Sequence, residues 1–271
     1  MTDFYDTHAH LDFPDFARDL PETLERAAAA GISKVITIGT DFDSSRRAVA
    51  LAREHTHVYA VVGWHPSHVT AAPEDIRPEL RKLAREPKVV AIGETGLDYH
   101  RLPADDASAN AAAAHEYRMR QRRLFDQQME VAAELGLNCV VHQRDSFDEV
   151  LAAVKPFASS LRAVFHCFGG TPDQARHILD LGCLVSFTGI VTFRNAEQVR
   201  ATAAAVPVDR FMLETDCPFL APVPFRGKRC EPAHVRQIAE AVALARGCSL
   251  DDLSEVTSRT ATEFFRGLSP G

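Results

Sequence analysis

The chain has 271 residues, of which 46% are hydrophobic and 25% are charged, and this composition is ordinary for a globular protein. It contains no apolar run of the roughly 18 residues that a membrane-spanning helix needs, and the first predicted strand begins too early for a signal peptide. The net charge of −7 excludes a broadly basic nucleic-acid-binding surface but leaves open a local phosphate site beside a bound metal. The six cysteines have no CxxC spacing, so they predict a reducing, cytoplasmic environment rather than a disulfide framework.

Short apolar runs typical of β-strands alternate with helix-like stretches along the chain. The predicted strands begin with Phe4-Tyr5 and continue at residues 34–39, 57–63, 88–93, 137–142, 161–166, 183–187 and 210–216. The predicted helices cover residues 20–31, 43–55, 74–85, 112–135, 146–154, 172–181 and 195–205, with Asp43 as the N-cap of the second and further helix from residue 231 onward. This alternation predicts an α/β fold, a (β/α)8 TIM barrel forming a single domain over residues 1–271, with its active site at the C-terminal ends of the strands. A doubly wound open sheet is the alternative, but no Gly-rich phosphate loop follows the first strand.

An insertion at residues 101–115 follows the fourth predicted strand. It contains Pro103, Asp105, Asp106 and an alanine run at residues 111–114. Because barrel enzymes place active-site loops after their strands, this segment predicts a lid or substrate rim. A surface excursion that the fold tolerates is the alternative.

Two histidines end the first predicted strand, in the run Asp6-Thr7-His8-Ala9-His10. Residues i and i+2 of a strand share one face, so the two imidazoles point the same way, about 7 Å apart along the backbone. That spacing lets both reach one divalent ion with bonds of roughly 2.0–2.1 Å. Two polar histidines that merely close a strand are the alternative for this motif alone.

Further ionisable residues end other predicted strands, and in a barrel those ends converge on one face. The full set is His8, His10, Glu94, His142, His166 and Asp216. Burying so many ionisable groups is unfavourable unless something pairs them. Four histidines and two carboxylates suit one or two divalent ions, with Glu94 as the predicted bridge between them.

Longer motifs surround these residues. They are Asp6-Thr7-His8-Ala9-His10, Gly63-Trp64-His65-Pro66, Gly93-Glu94-Thr95-Gly96-Leu97-Asp98-Tyr99, Val141-His142-Gln143-Arg144-Asp145, His166-Cys167-Phe168-Gly169-Gly170, Ser186-Phe187-Thr188-Gly189 and Glu214-Thr215-Asp216-Cys217-Pro218-Phe219-Leu220. With them the chain resembles the TatD family of metal-dependent deoxyribonucleases, within the amidohydrolase-like barrels, from Asp6 to beyond Pro232. The resemblance implies the same six residues as metal ligands. It also implies hydrolysis of phosphodiester bonds in DNA, often from the 3′ end.

Two further segments bear on the substrate. Arg226, Lys228 and Arg229 lie within four residues, after the last predicted strand, where barrel enzymes often build phosphate sites. Arg226 and Lys228 are the predicted substrate-binding residues, and a solvated loop is the alternative. The family usually has Asn at the position of Cys230, and a thiol is a poorer hydrogen-bond partner than an amide. His65 is a candidate to hydrogen-bond a substrate phosphate or orient water, or else to support the site from its periphery.

The predicted function is a metal-dependent phosphodiesterase, a deoxyribonuclease acting on DNA from the 3′ end, with Asp216, Glu94 and His65 as catalytic residues. A metal-activated water would attack phosphorus while Asp216 accepts its proton. The cofactor is one or two divalent ions, with Zn, Mg, Mn and Ni left open, and neither a membrane nor an obligate protein partner is predicted.

The alternative function is hydrolysis of an amide, lactone or ester, including removal of an aminoacyl group from tRNA. Many barrel hydrolases of that kind bridge their metals with a carboxylated lysine. Here Glu94 holds the matching position, and Lys88 lies at the wrong end of its predicted strand, which favours phosphate chemistry. A non-catalytic scaffold is a third class, but it would need a lost ligand and none is missing.

Overall fold

The structure is a computed structural model that describes residues 3–100 and 110–268, without the side chains of residues 110 and 111. The insertion predicted at residues 101–115 falls mostly on residues 101–109, which lie outside the described residues. The proposed lid or rim therefore has no structural description, and only the C-terminal part of the insertion, which begins the fourth helix, is described.

Eight parallel strands pair in chain order. They are β1 (Phe4–Ala9), β2 (Ile32–Ile38), β3 (Val58–Val62), β4 (Val89–Asp98), β5 (Asn138–Arg144), β6 (Ala163–Phe165), β7 (Leu184–Phe187) and β8 (Phe211–Leu213). The backbone N–H of Asp216 donates to the carbonyl oxygen of His8 at 2.8 Å, and that of His10 donates to Cys217 at 2.8 Å. These two bonds join the first strand to the segment after the last one. The predicted TIM barrel is confirmed, and the alternative of an open sheet is wrong.

Helices connect the strands on the outside of the barrel. They are α1 (Leu20–Ala29), α2 (Phe42–Glu54), α3 (Arg77–Leu83), α4 (Asn110–Leu135), α5 (Phe147–Val154), α6 (Pro172–Asp180), α7 (Glu197–Ala205), α8 (Val235–Arg246) and α9 (Leu250–Phe264). The third is shorter than the predicted 74–85 because Pro78 lies in its first turn, where its missing N–H is tolerated. No helix among residues 3–100 and 110–268 is long and apolar enough to cross a membrane.

The predicted N-cap of α2 is wrong by two residues. Asp41, not Asp43, has the extended backbone of a cap, and its side chain accepts a hydrogen bond from the N–H of Ser44 at 2.8 Å. Asp43 lies inside the first turn and pairs with Arg46 at 2.7 Å. Both aspartates fit the sequence pattern of a cap, and only the backbone conformation separates them.

The inside of the barrel is filled by apolar side chains, and one end is closed. A buried cluster takes one residue or more from every strand: Tyr5, Ile36, Tyr59, Val90, Val140, Val164, Leu184 and Met212 are among its members. Only the barrel interior can bring all eight strands together. Phe264 and Phe265, at the end of α9, complete this cluster, and the N–H of Arg266 donates to the carbonyl of Val90 near the start of β4. The N-terminal end of the barrel is therefore plugged, and the C-terminal end carries the polar groups.

Candidate metal centre

The structure brings the six predicted ligands together at the C-terminal end of the barrel. His8 lies in β1 and His10 just after it, Glu94 and His142 lie in β4 and β5, His166 follows β6, and Asp216 follows β8. Four of them are almost fully buried, and His142 and Asp216 keep partial exposure. The predicted strand over residues 88–93 ends too early. Strand β4 runs on to Asp98, so Glu94 projects from within the strand rather than from its end.

Strand β4 lies unusually close to β5 around Glu94. The residue before it, Gly93, has a φ of +152°, a conformation that side-chain-bearing residues rarely adopt. A Cβ atom at Gly93 would stand only 2.7 Å from the carbonyl oxygen of Val140. A Cβ atom at Gly96 would collide with the carbonyl of His142. The glycines on both sides of Glu94 thus allow the close approach that places its carboxylate beside His142.

One oxygen of Glu94 completes a first group of four ligand atoms. His8 Nε2 and His10 Nε2 are 3.3 Å apart, and they lie 3.7 and 3.4 Å from Asp216 Oδ1. The same two nitrogens lie 3.4 and 3.7 Å from Glu94 Oε2. Ligand atoms at tetrahedral positions about 2.0–2.1 Å from an ion are about 3.3–3.4 Å from one another. These separations, 3.3 to 3.7 Å, are close to those that ligands of one ion have.

The other oxygen of Glu94 belongs to a second group. Glu94 Oε1 lies 2.9 Å from His142 Nδ1 and 2.7 Å from His166 Nε2, and these two nitrogens are 3.2 Å apart. His65 Nε2 joins them, 3.3 Å from Glu94 Oε1 and 3.4 Å from His142 Nδ1. The carboxylate of Glu94 therefore stands between two clusters of nitrogen and oxygen donors, which is the position of a bridging ligand.

The outer nitrogens of the histidines also fit metal ligation. A ligating histidine usually directs its second ring nitrogen at a carboxylate or a carbonyl oxygen. His142 Nε2 lies 3.3 Å from Asp98 Oδ2, and His166 Nδ1 lies 3.5 Å from Glu214 Oε1. Among the described residues, these two nitrogens and the buried Nδ1 of His8 form no hydrogen bond, so Asp98 and Glu214 lie near their imidazoles without being bonded to them. The donor set fits one or two divalent ions.

Protonation within the cluster is set by burial and by neighbouring charge. Burial would raise the pKa of Glu94, but the charge of His166 and hydrogen bonding to His142 and His166 outweigh it and hold that pKa well below its usual range. Burial lowers the pKa of His65 to about 4, and burial together with His166 lowers that of His8. Glu94 is consequently an anion at neutral pH, while His8 and His65 are neutral, which is the state in which imidazole binds metal.

Asp6 ties the two ligand-bearing segments together and was missed as a site residue. Its carboxylate accepts hydrogen bonds from the N–H and the hydroxyl of Thr215, at 2.9 and 2.6 Å, and from the N–H of His8 at 3.3 Å. Burial raises its pKa to about 8. By joining the strand of His8 to the residue before Asp216, Asp6 positions two ligands at once. Asp98 and Glu214 were also missed, although all three residues lie within the motifs quoted above.

The three cations of the basic loop, Arg226, Lys228 and Arg229, have different surroundings. Arg226 is exposed, stacks on the Phe193 ring at 3.8 Å from its centroid, and donates to the carbonyl of Ala221 at 3.1 Å. Lys228 is exposed and has no side-chain hydrogen bond or ion pair within residues 3–100 and 110–268. Arg229 instead pairs with Asp19 at 2.7 Å, so the three-residue cationic cluster is reduced to two.

The side chain of Cys230, at the position where an asparagine was expected from the resemblance, is fully buried. Its N–H donates to the carbonyl of Pro218 at 3.0 Å, which ties the loop to the segment after Asp216. The thiol is shielded from solvent, and the backbone of this position fixes the loop.

Comparisons with known proteins identify the family of this chain. The family model described as TatD related DNase matches residues 5–266. The chain is 35% identical to an uncharacterized metal-dependent hydrolase, YabD, of Bacillus subtilis over 97% of this chain and 98% of the relative. It is 34% identical to the 3′-5′ ssDNA/RNA exonuclease TatD of Erwinia tasmaniensis, over 95% of this chain and 96% of that relative. The crystal structure of YjjV, a TatD homologue of Escherichia coli, superposes with a TM-score of 0.88 at 29% identity, covering 98% of both chains. The chain belongs to the TatD related DNase family.

Proposed function

We propose that this protein is a single-domain, metal-dependent phosphodiesterase that hydrolyses DNA from its 3′ end. The observation that carries the proposal is the position of Glu94, whose two carboxylate oxygens each face a separate group of ligand atoms. Two-metal centres are a recurrent solution for phosphodiester hydrolysis, because they stabilise charge on both sides of the reacting phosphorus. The relative named a 3′-5′ ssDNA/RNA exonuclease supports the direction of attack.

The two groups of ligand atoms would hold two divalent ions. His8, His10 and Asp216 would hold the first, and His142 and His166 the second, with Glu94 shared. Bound there, the ions supply Lewis-acid stabilisation of phosphoryl oxygen charge and a lowered pKa for water. Zn, Mn and Ni suit the mixed imidazole and carboxylate donors, and Mg suits them less well because it prefers oxygen ligands.

Asp216 is the proposed general base. Its Oδ1 belongs to the first group of ligand atoms, which leaves Oδ2 to accept a proton from the attacking water. Burial would raise its pKa, but hydrogen bonding to His10 and the charge of His10 hold the pKa below its usual value. It is therefore a carboxylate at neutral pH, and its 15% side-chain exposure opens it to the substrate.

His65 is the proposed donor to a substrate phosphate oxygen. Its Nδ1 accepts a hydrogen bond from the N–H of Ser67 at 3.0 Å, so the ring proton of the neutral imidazole lies on Nε2. A protonated Nε2 can donate but cannot bind a metal. Although Nε2 lies beside Glu94 and His142, this tautomer favours a hydrogen bond to phosphate over a fourth ligand bond.

The alternative of amide or ester hydrolysis has less support. A carboxylated lysine as metal bridge would have to come from Lys88, whose ammonium is bound by the carbonyl oxygens of Ala52, His55 and Thr56 at 2.7, 2.7 and 2.9 Å. These bonds hold it near the start of β4, away from the ligand atoms. We further propose a reducing, cytoplasmic location, which the six free cysteines support.

The proposal is tested by removing bound metal with a chelator and reloading the protein with Zn, Mn, Mg or Ni separately. Each preparation is then assayed on three classes of substrate. These are a 3′-labelled and a 5′-labelled single-stranded DNA, a simple dialkyl phosphodiester, and a set of amides and aminoacyl esters. We expect stepwise shortening of the 5′-labelled strand and immediate label release from the 3′-labelled one. The stripped protein should do neither. Turnover of only the amides or esters would overturn the proposal.

A further inference from the structure

Two phenylalanine rings line the first group of ligand atoms. The ring of Phe13 stacks on that of His10 with centroids 4.7 Å apart and an interplanar angle of 22°. Phe219 meets the same imidazole edge-on at 6.3 Å and meets Phe13 edge-on at 6.1 Å. The two rings and the imidazole of His10 form one aromatic cluster, and His10 is also a proposed metal ligand.

The side chain of Phe219 is largely exposed to solvent. Its relative exposure is 51%, and among the described residues it is the only aromatic side chain among the exposed large hydrophobics. An exposed ring gives up hydrophobic stabilisation that burial would provide. Single exposed apolar residues occur on most proteins, but this one lies at the opening of the proposed catalytic site.

The backbone holds Phe219 in a fixed position relative to the catalytic residues. Its N–H donates to the carbonyl of Asp216 at 3.0 Å, so a tight turn joins it to the proposed general base. The carbonyl of the preceding Pro218 accepts the N–H of Cys230 at 3.0 Å, and Leu220 packs so closely on Gly189 that a Cβ there would collide with its carbonyl. These contacts fix the turn that carries the ring of Phe219.

We propose that Phe219, supported by Phe13, is a stacking platform for an unpaired nucleobase next to the cleaved phosphodiester. This inference rests on the proposed function and deepens it by assigning the residue that recognises the base next to the cleaved bond. The face of an aromatic ring is the group that a base recognises without regard to sequence, since every base has a π face. A phosphate held at the ligand atoms leaves an adjacent base within reach of the ring.

The platform selects single strands over duplex ends. A base in a duplex is already paired and stacked on its neighbours, so it must be freed before it can stack on Phe219. An unpaired base meets no such requirement. The enzyme is thus expected to trim single-stranded ends without base preference and to stop where a duplex begins.

The test compares three substitutions at Phe219 on normal and abasic substrates. Phe219→Ala removes the ring, Phe219→Leu keeps apolar bulk without a π face, and Phe219→Tyr keeps the face. Leu244→Ala, which truncates an 85% exposed apolar side chain on α8, is the matched control. Each variant is assayed for kcat/KM on a single-stranded oligonucleotide and on the same strand with an abasic site at the terminal or penultimate position. Melting temperature and metal content are measured for all.

For Phe219→Ala we expect a loss in kcat/KM of about 5- to 100-fold on the normal strand, the usual range for one lost base stack. Phe219→Leu should behave similarly, whereas Phe219→Tyr and Leu244→Ala should match the wild type. On the strand whose abasic site removes the stacked base, the wild type should already be slow and Phe219→Ala should lose nothing more. A terminal 2-aminopurine should be quenched on binding to the wild type and less so on binding to Phe219→Ala.

The proposal is overturned if Phe219→Ala loses as much on both abasic strands as on the normal strand, because no base would then be involved. It is also overturned if Phe219→Leu retains full activity. A different failure is a wild type that cleaves no oligonucleotide with any metal, which removes the proposed function itself.

Discussion

The two ends of the barrel hold their polar groups in opposite ways. At the N-terminal end, the ammonium of Lys88 is bound by three backbone carbonyls, and that of the buried Lys34 donates to the hydroxyl of Tyr5 at 2.8 Å. At the C-terminal end, the facing Nε2 atoms of His8 and His10 are 3.3 Å apart with two carboxylates beside them. At the N-terminal end, groups of the protein itself bind the two ammonium groups. The C-terminal end is an arrangement that a cation would complete.

This contrast indicates where the functional site lies in a barrel whose strands are otherwise alike. Buried polar groups are normally satisfied by the protein itself. Where a protein concentrates ligand atoms that only an added ion can satisfy, it gives up stability for function. The same contrast exists within the C-terminal end of the barrel. The ion pair of Arg229 with Asp19 is complete there, whereas the cluster around His8, His10, His142 and His166 is not.

The largest effect is expected from Glu94→Ala, because it removes a donor from both ligand groups. We expect the loss of at least one metal per chain and a fall in activity beyond the roughly 10- to 100-fold that outer residues of a metal site cause. Lys88→Met, at the N-terminal end, is the contrasting variant. It should lower the melting temperature and leave metal content unchanged. Metal analysis and kcat/KM measure both, and full metal content in Glu94→Ala would refute a bridging role.

Asp98→Asn tests whether the outer carboxylates support the cluster at the C-terminal end. Asp98 faces His142 Nε2 at 3.3 Å, and replacing the anion weakens the orientation and basicity of that ligand. We expect metal affinity and activity to fall by about 10- to 100-fold, with rescue at high metal concentration. Asp126→Asn, which disturbs a surface pair with Arg122 on α4, is the matched control and should change neither. Equal behaviour of the two variants would contradict the prediction.

The sequence predicted the barrel well because buried parallel strands are continuous apolar runs, and it predicted that the six candidate ligands come together because strand ends converge in this fold. The prediction from sequence failed where the outcome depends on a residue far along the chain or on the backbone conformation. Arg229 looked like part of a basic cluster, and its partner Asp19 lies 210 residues away in the chain. Asp41 and Asp43 are alike in sequence, and backbone torsion alone chooses the cap.

The basic loop gives an intermediate effect. Arg226→Ala and Lys228→Ala each remove an exposed cation after β8, and each should weaken oligonucleotide binding equally for every sequence. The slope of log affinity against log salt should flatten by about 0.7 per lost phosphate contact on a single strand. Arg229→Ala is the control within the same loop, and its slope should match the wild type because its guanidinium pairs with Asp19. Titration of labelled oligonucleotide across a salt series measures this. If Arg226→Ala and Lys228→Ala both keep the slope of the wild type, these two residues have no role in binding the substrate.

The smallest effect concerns the complete ion pair at the catalytic end. Hydrogen bonding to Arg229 holds the pKa of Asp19 at about 2, below the usual 3.8. A carboxyl group whose pKa is lower in the folded state stabilises the fold above its unfolded pKa, and this stabilisation is lost as the pH falls through the folded pKa. Asp19→Asn should therefore unfold at slightly lower urea concentration than the wild type at pH 7, and the difference should shrink toward zero near pH 2. Arg229→Ala should show a smaller change of the same sign, because Arg26 still pairs with Asp19 at 3.3 Å. Metal content should be untouched in both variants, since neither residue belongs to the cluster that needs an ion. If the urea midpoint of Asp19→Asn stays below that of the wild type by the same amount at pH 2, the pair is not what stabilises this loop.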